Sequence, residues 1–272
     1  MKRAKPTLML YAFAIGILLS IAIPLVGSTA VYKRLSNTGD ALAHTSLAGV
    51  AVGLACGLSP LVTSVIACVA SIIIIEFIRK KFSKFSELGT AVVLSSGIGL
   101  AGIMTSYTKA ANFDSYLFGS ILLISDLELY MVIGLFLADV LFYAFFGRQV
   151  FAVVYSEEEA KVQGIRVSSI NLAQSLLLAL TIALSAKAIG SLVVSSLIVL
   201  PIASSLQLKK NYRWTLIWAL IFSFVSTIVG LTASYYLNYK PGATIVIVAT
   251  IILIILIVVK PFLVRIKAKK AS

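Results

Sequence analysis

Apolar runs long enough to cross a bilayer recur from one end of this chain to the other, and they leave no stretch in which a sizeable water-soluble domain could be built. Nine can be marked, at about 8–30, 36–58, 61–78, 88–107, 127–146, 169–186, 188–206, 214–236 and 242–260. In hydrocarbon every backbone N–H and C=O must be satisfied within the protein, so segments of this length span as helices. Composition agrees, with 12% charged residues against about a quarter in a soluble domain. The sequence therefore predicts an all-α polytopic membrane protein, a single transmembrane domain over residues 1–272 with eight or nine spanning helices. The choice between the two counts lies mainly in 169–186 and 188–206, which only Lys187 divides.

Charge orients the chain. The net charge of +13 comes from cations in short loops, as the positive-inside rule requires. With nine spans and an inner C-terminus, 17 Lys and Arg fall on the inner side and 6 on the outer; the opposite orientation reverses the ratio. The C-terminus is therefore expected in the cytoplasm, with Arg265, Lys267, Lys269 and Lys270 near anionic headgroups of the membrane lipid. Lys2, Arg3 and Lys5 are discordant, and an eight-span chain with both ends inside would accommodate them. That cluster, the apolar stretch after it and Ser28-Thr29-Ala30 imitate a cleavable secretory signal, but a polytopic protein commonly keeps such a segment as its first span. Nucleic acid is not an expected partner, because no basic helix or aromatic-basic platform is present. Cys56 and Cys68 lie in apolar segments without a CxxC and read as small packing residues.

Against this background, ionisable residues inside the spans point to function by default. The only histidine, His44, follows Asp40 by four residues, so the two share one helix face. Together they can grip one divalent cation: imidazole suits zinc and other transition ions, and carboxylate also suits manganese. Helix rise counted from Lys33 and Arg34 puts His44 about 15 Å deep, near the midplane. Two ligands cannot close a site, so water or a second subunit must complete it, and an incomplete site is one an ion can leave. The pair also fits a plainer role as a hydrogen-bonded tie between helices. Glu76, close to Arg79 and Lys80, reads as a local ion pair. Asp139 has no cation in its span, and either lines a polar path or bonds a neighbouring helix.

Catalytic constellations are missing. One histidine cannot make a His-Glu-x-x-His site, no serine stands in Gly-x-Ser-x-Gly, and no phosphate-binding Gly-x-x-x-x-Gly-Lys-Ser/Thr loop occurs. The chain reads as a transport subunit that is not itself an enzyme and holds no permanent cofactor. If ATP drives it, the motor is another polypeptide. The longest polar stretch, 147–169, contains a short capped helix over about 156–165: Ser156 is its N-cap, Glu157, Glu158 and Glu159 suit its positive end, Ala160 follows, and Gly164 ends it. So short a helix needs a surface to dock on. A helix lying on the chain's own polar surface is the alternative to one that meets a partner.

The same residues carry a family resemblance. Arg34-Leu-Ser-Asn-Thr-Gly-Asp40-Ala-Leu-Ala-His44-Thr-Ser-Leu-Ala-Gly49-Val-Ala-Val-Gly53 resembles the signature of the membrane permeases of bacterial zinc/manganese ABC importers. Tyr116-Leu-Phe-Gly-Ser-Ile121, Glu159-Ala-Lys-Val-Gln-Gly-Ile165, Gly190-Ser-Leu-Val-Val through Leu200-Pro-Ile-Ala203, and Ser234-Tyr235 with Pro241-Gly-Ala243 follow in the family's order. Relatives commonly carry a Pro-Ala-Ala-like run where this chain has Pro201-Ile-Ala-Ser-Ser205. The resemblance implies the ABC-importer permease fold in a bacterial cytoplasmic membrane, a second copy of the chain, a cytoplasmic ATPase dimer that holds ATP, and an extracytoplasmic metal-binding protein. It implies Asp40 and His44 on the path of the transported Zn2+ or Mn2+, and Ser156–Ile165 as the coupling helix. The wording of several blocks is closer to zinc-importing relatives, with manganese as the alternative. A standalone ion-coupled carrier using Asp40, His44 and Asp139 is the reading from outside the family.

Overall fold

A computed structural model describes residues 6–82, 85, 87–107, 126–208, 211–237 and 239–271. Among them are ten α-helices and no strand: α1 Pro6–Tyr32, α2 Asn37–Cys56, α3 Pro60–Lys81, α4 Leu88–Thr105, α5 Asp126–Tyr155, α6 Glu157–Val162, α7 Val167–Ile189, α8 Ser191–Leu206, α9 Tyr212–Leu237 and α10 Pro241–Ala271. Eight of them are long and apolar enough to cross a membrane, and α8 is apolar but shorter. The protein is a multi-pass helical membrane protein. Exposed apolar side chains such as Ile66, Phe77, Leu141, Phe145 and Ile254 clothe the bundle where lipid would lie.

Backbone chemistry explains where the helices break. Between α1 and α2 the chain turns through Arg34 in the left-handed region (φ 60°), and the Leu35 N–H bonds the Ala30 carbonyl at 2.7 Å. α2 stops at Gly57 (φ 68°), whose N–H reaches the Gly53 carbonyl, and Pro60 opens α3 where a missing N–H does no harm. α7 gives way to α8 at Gly190 (φ 95°), a conformation that favours glycine.

Side-chain contacts fix which helix ends lie together. Lys33 meets Glu157 and Asn171, and Lys80 meets Ser168, so the end of α1, the end of α3, α6 and the start of α7 share one end of the bundle. Lys187 pairs with Glu128 at the other end, in a contact also bordered by Leu61. The Tyr212 ring lies 4.9 Å from that of Tyr32, so α9 starts back at the Lys33 end. The short α8 must therefore return the chain across the bundle, although its 16 residues rise only about 24 Å. Nine described helices traverse, and the described chain begins at the Lys187 end and finishes at the Lys33 end. The division of the uncertain pair falls at Gly190, which ends one helix and starts the next, while Lys187 lies in the last turn of the first.

Two expectations need correcting. The helix expected over 127–146 continues to Tyr155, because nothing between Gly147 and the Ser156 cap disfavours helix strongly; the polar loop is correspondingly shorter. Cys68 is buried, with its thiol 3.4 Å from the Leu42 carbonyl, but Cys56 is exposed, because α2 ends there. The block 116–121 lies outside the described residues.

Helices approach closely where glycine removes the side chain. A Cβ at Gly49 would lie 2.6 Å from the Thr63 carbonyl oxygen of α3, and one at Gly230 would lie 2.6 Å from Ile245 Cα of α10. A Cβ at Gly99 would meet nothing within 4 Å. Gly49→Ala and Gly230→Ala are therefore expected to lose about 1–3 kcal/mol to overpacking, read as lower melting temperatures in detergent, whereas Gly99→Ala should leave melting unchanged or raise it slightly.

Candidate functional site

Helix α2 is held by its neighbours on most of its circumference. Gly49 and Gly53 let it sit against the start of α3, Ser46 and Ser64 hydrogen-bond at 2.8 Å between the two helices, and Gly97 of α4 meets Thr45. Ile198 of α8 covers Gly39. These contacts bury 13 residues of α2 and leave Asp40 and His44 partly open on one stripe.

His44 Nε2 and Asp40 Oδ1 stand 3.9 Å apart, with side-chain exposures of 26% and 48%. That separation is too long for a hydrogen bond. In a tetrahedral zinc site a nitrogen and an oxygen ligand stand about 3.3 Å apart, so the two side chains would close by about half an ångström to hold one cation between them. Asp40 also lies in the first turn of α2, where the helix dipole favours a carboxylate. No group of three or more His, Cys, Asp or Glu able to hold a metal occurs among the described residues.

The depth of this pair differs from the expectation. Residues 33–36 fold into a turn and do not continue a helix, so depth counts from Asn37. His44 is the eighth residue of a 20-residue helix, about 10 Å from its start and a third of the way along. His44 thus lies about 4 Å short of the midpoint of α2 and Asp40 about 10 Å short of it.

The other buried acids are partnered elsewhere. Glu76 bonds Arg79 three residues on and accepts from the Ser175 hydroxyl of α7 at 2.6 Å, so it is a local ion pair with an added tie between helices. Asp139 of α5 is fully buried and accepts from Thr181 of α7 at 3.1 Å. It bonds a neighbouring helix, and its own helix packs mainly on α1 and α7.

At the Lys33 end α6 forms as a capped helix. The Ser156 hydroxyl accepts from the Glu159 N–H at 3.3 Å, and Gly164 (φ 80°) closes the last turn. Six residues need an anchor, and Ala160 supplies it by burying itself among Val150, Val153, Val167 and Ile170. Glu158, Glu159 and Val162 face outward, with Val162 89% exposed. Glu157 does not join them: it accepts from Lys33 Nζ at 2.9 Å and from Asn171 Nδ2 at 2.9 Å, and Lys33 also donates to Asn171 Oδ1 at 2.7 Å. Partial burial pulls the Glu157 carboxyl up, but the bonds from Lys33 and Asn171 outweigh it and hold the group below its ordinary value. Burial lowers Lys33 against the opposing pull of Glu157. Sequence reasoning missed Lys33 and Asn171 as site residues, because a lysine beside a span end reads as a topology signal.

Comparison with known proteins places the chain among transport proteins. The model of the ABC 3 transport family matches residues 5–260. A Treponema pallidum protein named a probable metal transport system membrane protein is 38% identical over 90% of this chain and 93% of its own. The zinc uptake protein ZnuB of Haemophilus influenzae is 29% identical (90% and 94% covered), and the manganese transport protein MntC of Listeria monocytogenes is 26% identical (92% and 90%). In fold, the chain resembles PsaBC from Streptococcus pneumoniae, solved in complex with Fab, with a TM-score of 0.80 at 23% identity over 93% of this chain and 91% of that one.

The depressed Glu157 carboxyl has a pH consequence. Its contribution is fully present above the ordinary carboxylate range and is lost as pH falls through the lowered value, where protonation frees Lys33. Hydrogen exchange of the α6 amides should accelerate at that acidic step in the wild type, and Glu157→Gln should lack the step.

Proposed function

The chain belongs to the ABC 3 transport family, and from that premise we propose that it is the permease subunit of an ATP-driven importer of a divalent transition-metal ion, zinc in preference to manganese. The observation that carries the reading is the Asp40–His44 pair: an imidazole and a carboxylate, 3.9 Å apart, on the open stripe of an otherwise buried helix. An ion resting there keeps coordination positions for water or for a second copy of the chain, so it binds transiently and moves on. A histidine ligand favours zinc, and several sequence blocks resemble zinc-importing relatives; the carboxylate and the manganese-transporting relatives make manganese the second reading.

The energy source is external to this chain, which has no phosphate-binding loop. An ATPase pair would dock on α6, whose outward Glu158, Glu159 and Val162 stand on an anchored base. The Lys33 end is then cytoplasmic, which agrees with the 17 to 6 distribution of cations and puts the C-terminus inside. The opposite end would receive the ion from an extracytoplasmic binding protein. Closure of the ATPase pair rocks the helices and turns the Asp40–His44 stripe from one side to the other.

Asp40→Ala and His44→Ala should each abolish metal uptake while the protein stays in the membrane; wild-type uptake of both zinc and manganese in these variants would overturn the site. Growth of a deletion strain under separate zinc and manganese limitation identifies the cargo. Replacing Glu158 and Glu159 with Lys should weaken retention of the ATPase in co-purification, and undiminished retention would remove α6 as its docking point.

A further inference from the structure

We infer that Lys33, gripped by Glu157 and Asn171, is a positioning residue that carries movement of α6 to α2, and so to Asp40 and His44; this rests on the reading of α6 as the ATPase-docking helix.

The first support is that α6 behaves as a handle. Its Ala160 is locked into the small core of Val150, Val153, Val167 and Ile170, so force on its outer face moves α6 together with the end of α5 and the start of α7. From the inner side of that handle, Glu157 reaches a residue 124 positions earlier in the chain. Lys33 is the residue immediately after α1 and stands seven before Asp40.

The joint between Lys33 and α2 has little slack. The Lys33 N–H bonds the Thr29 carbonyl at 3.0 Å, Leu35 bonds Ala30 at 2.7 Å, Thr38 bonds Leu35 at 2.9 Å, and Arg34 holds a positive φ. A displacement that the grip on the Lys33 side chain passes to its backbone therefore reaches the first turn of α2, where Asp40 lies, and is not absorbed by a loose loop.

A second line runs in parallel. Ser168, Asn171 and Ser175 stand at i, i+3 and i+7 on one face of α7. Ser168 accepts from Lys80, Asn171 belongs to the Lys33–Glu157 cluster, and Ser175 donates to Glu76, which holds Arg79. The end of α3 is thus tied to the same face of α7, and α3 is bonded to α2 through Ser64 and Ser46. Lys33, Glu157, Asn171, Ser168, Lys80 and Glu76 border a cleft of about 590 Å3 at the Lys33 end. Water in that cleft can take over the polar bonds when α6 shifts.

Stability alone does not require such a cluster. Desolvating a lysine and a glutamate offsets much of their attraction, and apolar residues of similar size commonly hold a fold equally well. A directional cluster that can exchange partners with cleft water suits a contact that is made and remade during transport.

The test uses the chain reconstituted in vesicles with its ATPase and binding protein, with zinc and manganese as the probes and ions imported per ATP hydrolysed as the readout. Lys33→Met is expected to melt within a few degrees of wild type and to retain the ATPase, yet to import roughly tenfold fewer ions per ATP; Lys33→Arg should restore most of the ratio. An unchanged ratio in Lys33→Met overturns the inference. So does a loss of uptake that only tracks loss of folded protein, because that is a structural role. If Lys33→Met does not accumulate, Glu157→Gln is read by the same ratio, and failure of both to fold also overturns it. A wild-type chain that never binds an ATPase overturns the proposed function and this inference together; a wild type that pumps beside a fully coupled Lys33→Met overturns the inference alone.

Discussion

The close approach of α2 to its neighbours is the interaction on which the rest of the structure depends. A helix carrying an aspartate and a histidine inside a membrane must bury nearly everything else it has, or it would be drawn toward the aqueous boundary. Glycines achieve that burial. With no Cβ at 49 and 53 on α2 or at 97 on α4, backbone meets backbone on two sides, and helix α8 closes over Gly39. Dispersion and interhelical hydrogen bonding drive this packing in lipid, where the hydrophobic effect supplies little. One stripe is left over, and it holds the only histidine of the chain.

The distribution of polar partners separates structure from function. Glu76, Glu128, Asp139 and Glu157 each have a named partner on another helix: Ser175, Lys187, Thr181, and Lys33 with Asn171. For Glu76, Glu128 and Asp139 those contacts offset part of the cost of burial, whereas Glu157 is half exposed. Asp40 and His44 face each other at a distance longer than a hydrogen bond on the exposed side of α2. Glu76, Glu128 and Glu157 commit oxygens to these partners, whereas Asp139 keeps its buried Oδ1 without a hydrogen-bond partner; on the proposed reading Asp40 and His44 would offer theirs to a cation.

Much of this was legible in the residues. Long apolar runs gave the helices, and the i, i+4 spacing set Asp40 and His44 on one face. Ser156 and Gly164 bounded α6, because caps and left-handed glycines act within a few residues of themselves. What escaped was whatever depends on distance along the chain. Nothing local to Lys33 announces Glu157, 124 residues away, and a lysine at a span end is ordinarily a topology signal. The rise to His44 is shorter than a count from Lys33 gives, because the turn through Arg34 interrupts it. The crossing of α8 needed the Tyr32–Tyr212 contact, since 16 apolar residues alone do not distinguish a short traverse from a buried segment.

The placement of both ligands on one turn of one helix limits how the proposed transport can work. Rigid-body rocking of α2 leaves the Asp40–His44 separation at 3.9 Å, because both side chains move with the same backbone. On the proposed reading, rocking of α2 as a rigid body would not by itself open this bite. Release would then come from ligands that are not on α2, water or groups of a second copy, as α2 turns past them. On that reading a two-ligand half-site would be an advantage, since a full set on one helix would travel as a closed cage. It also sets what must be delivered to α2: a rotation or tilt of the whole helix, transmitted through its end. The Lys33–Glu157–Asn171 cluster meets α2 at that end, one short and well-bonded turn from Asp40.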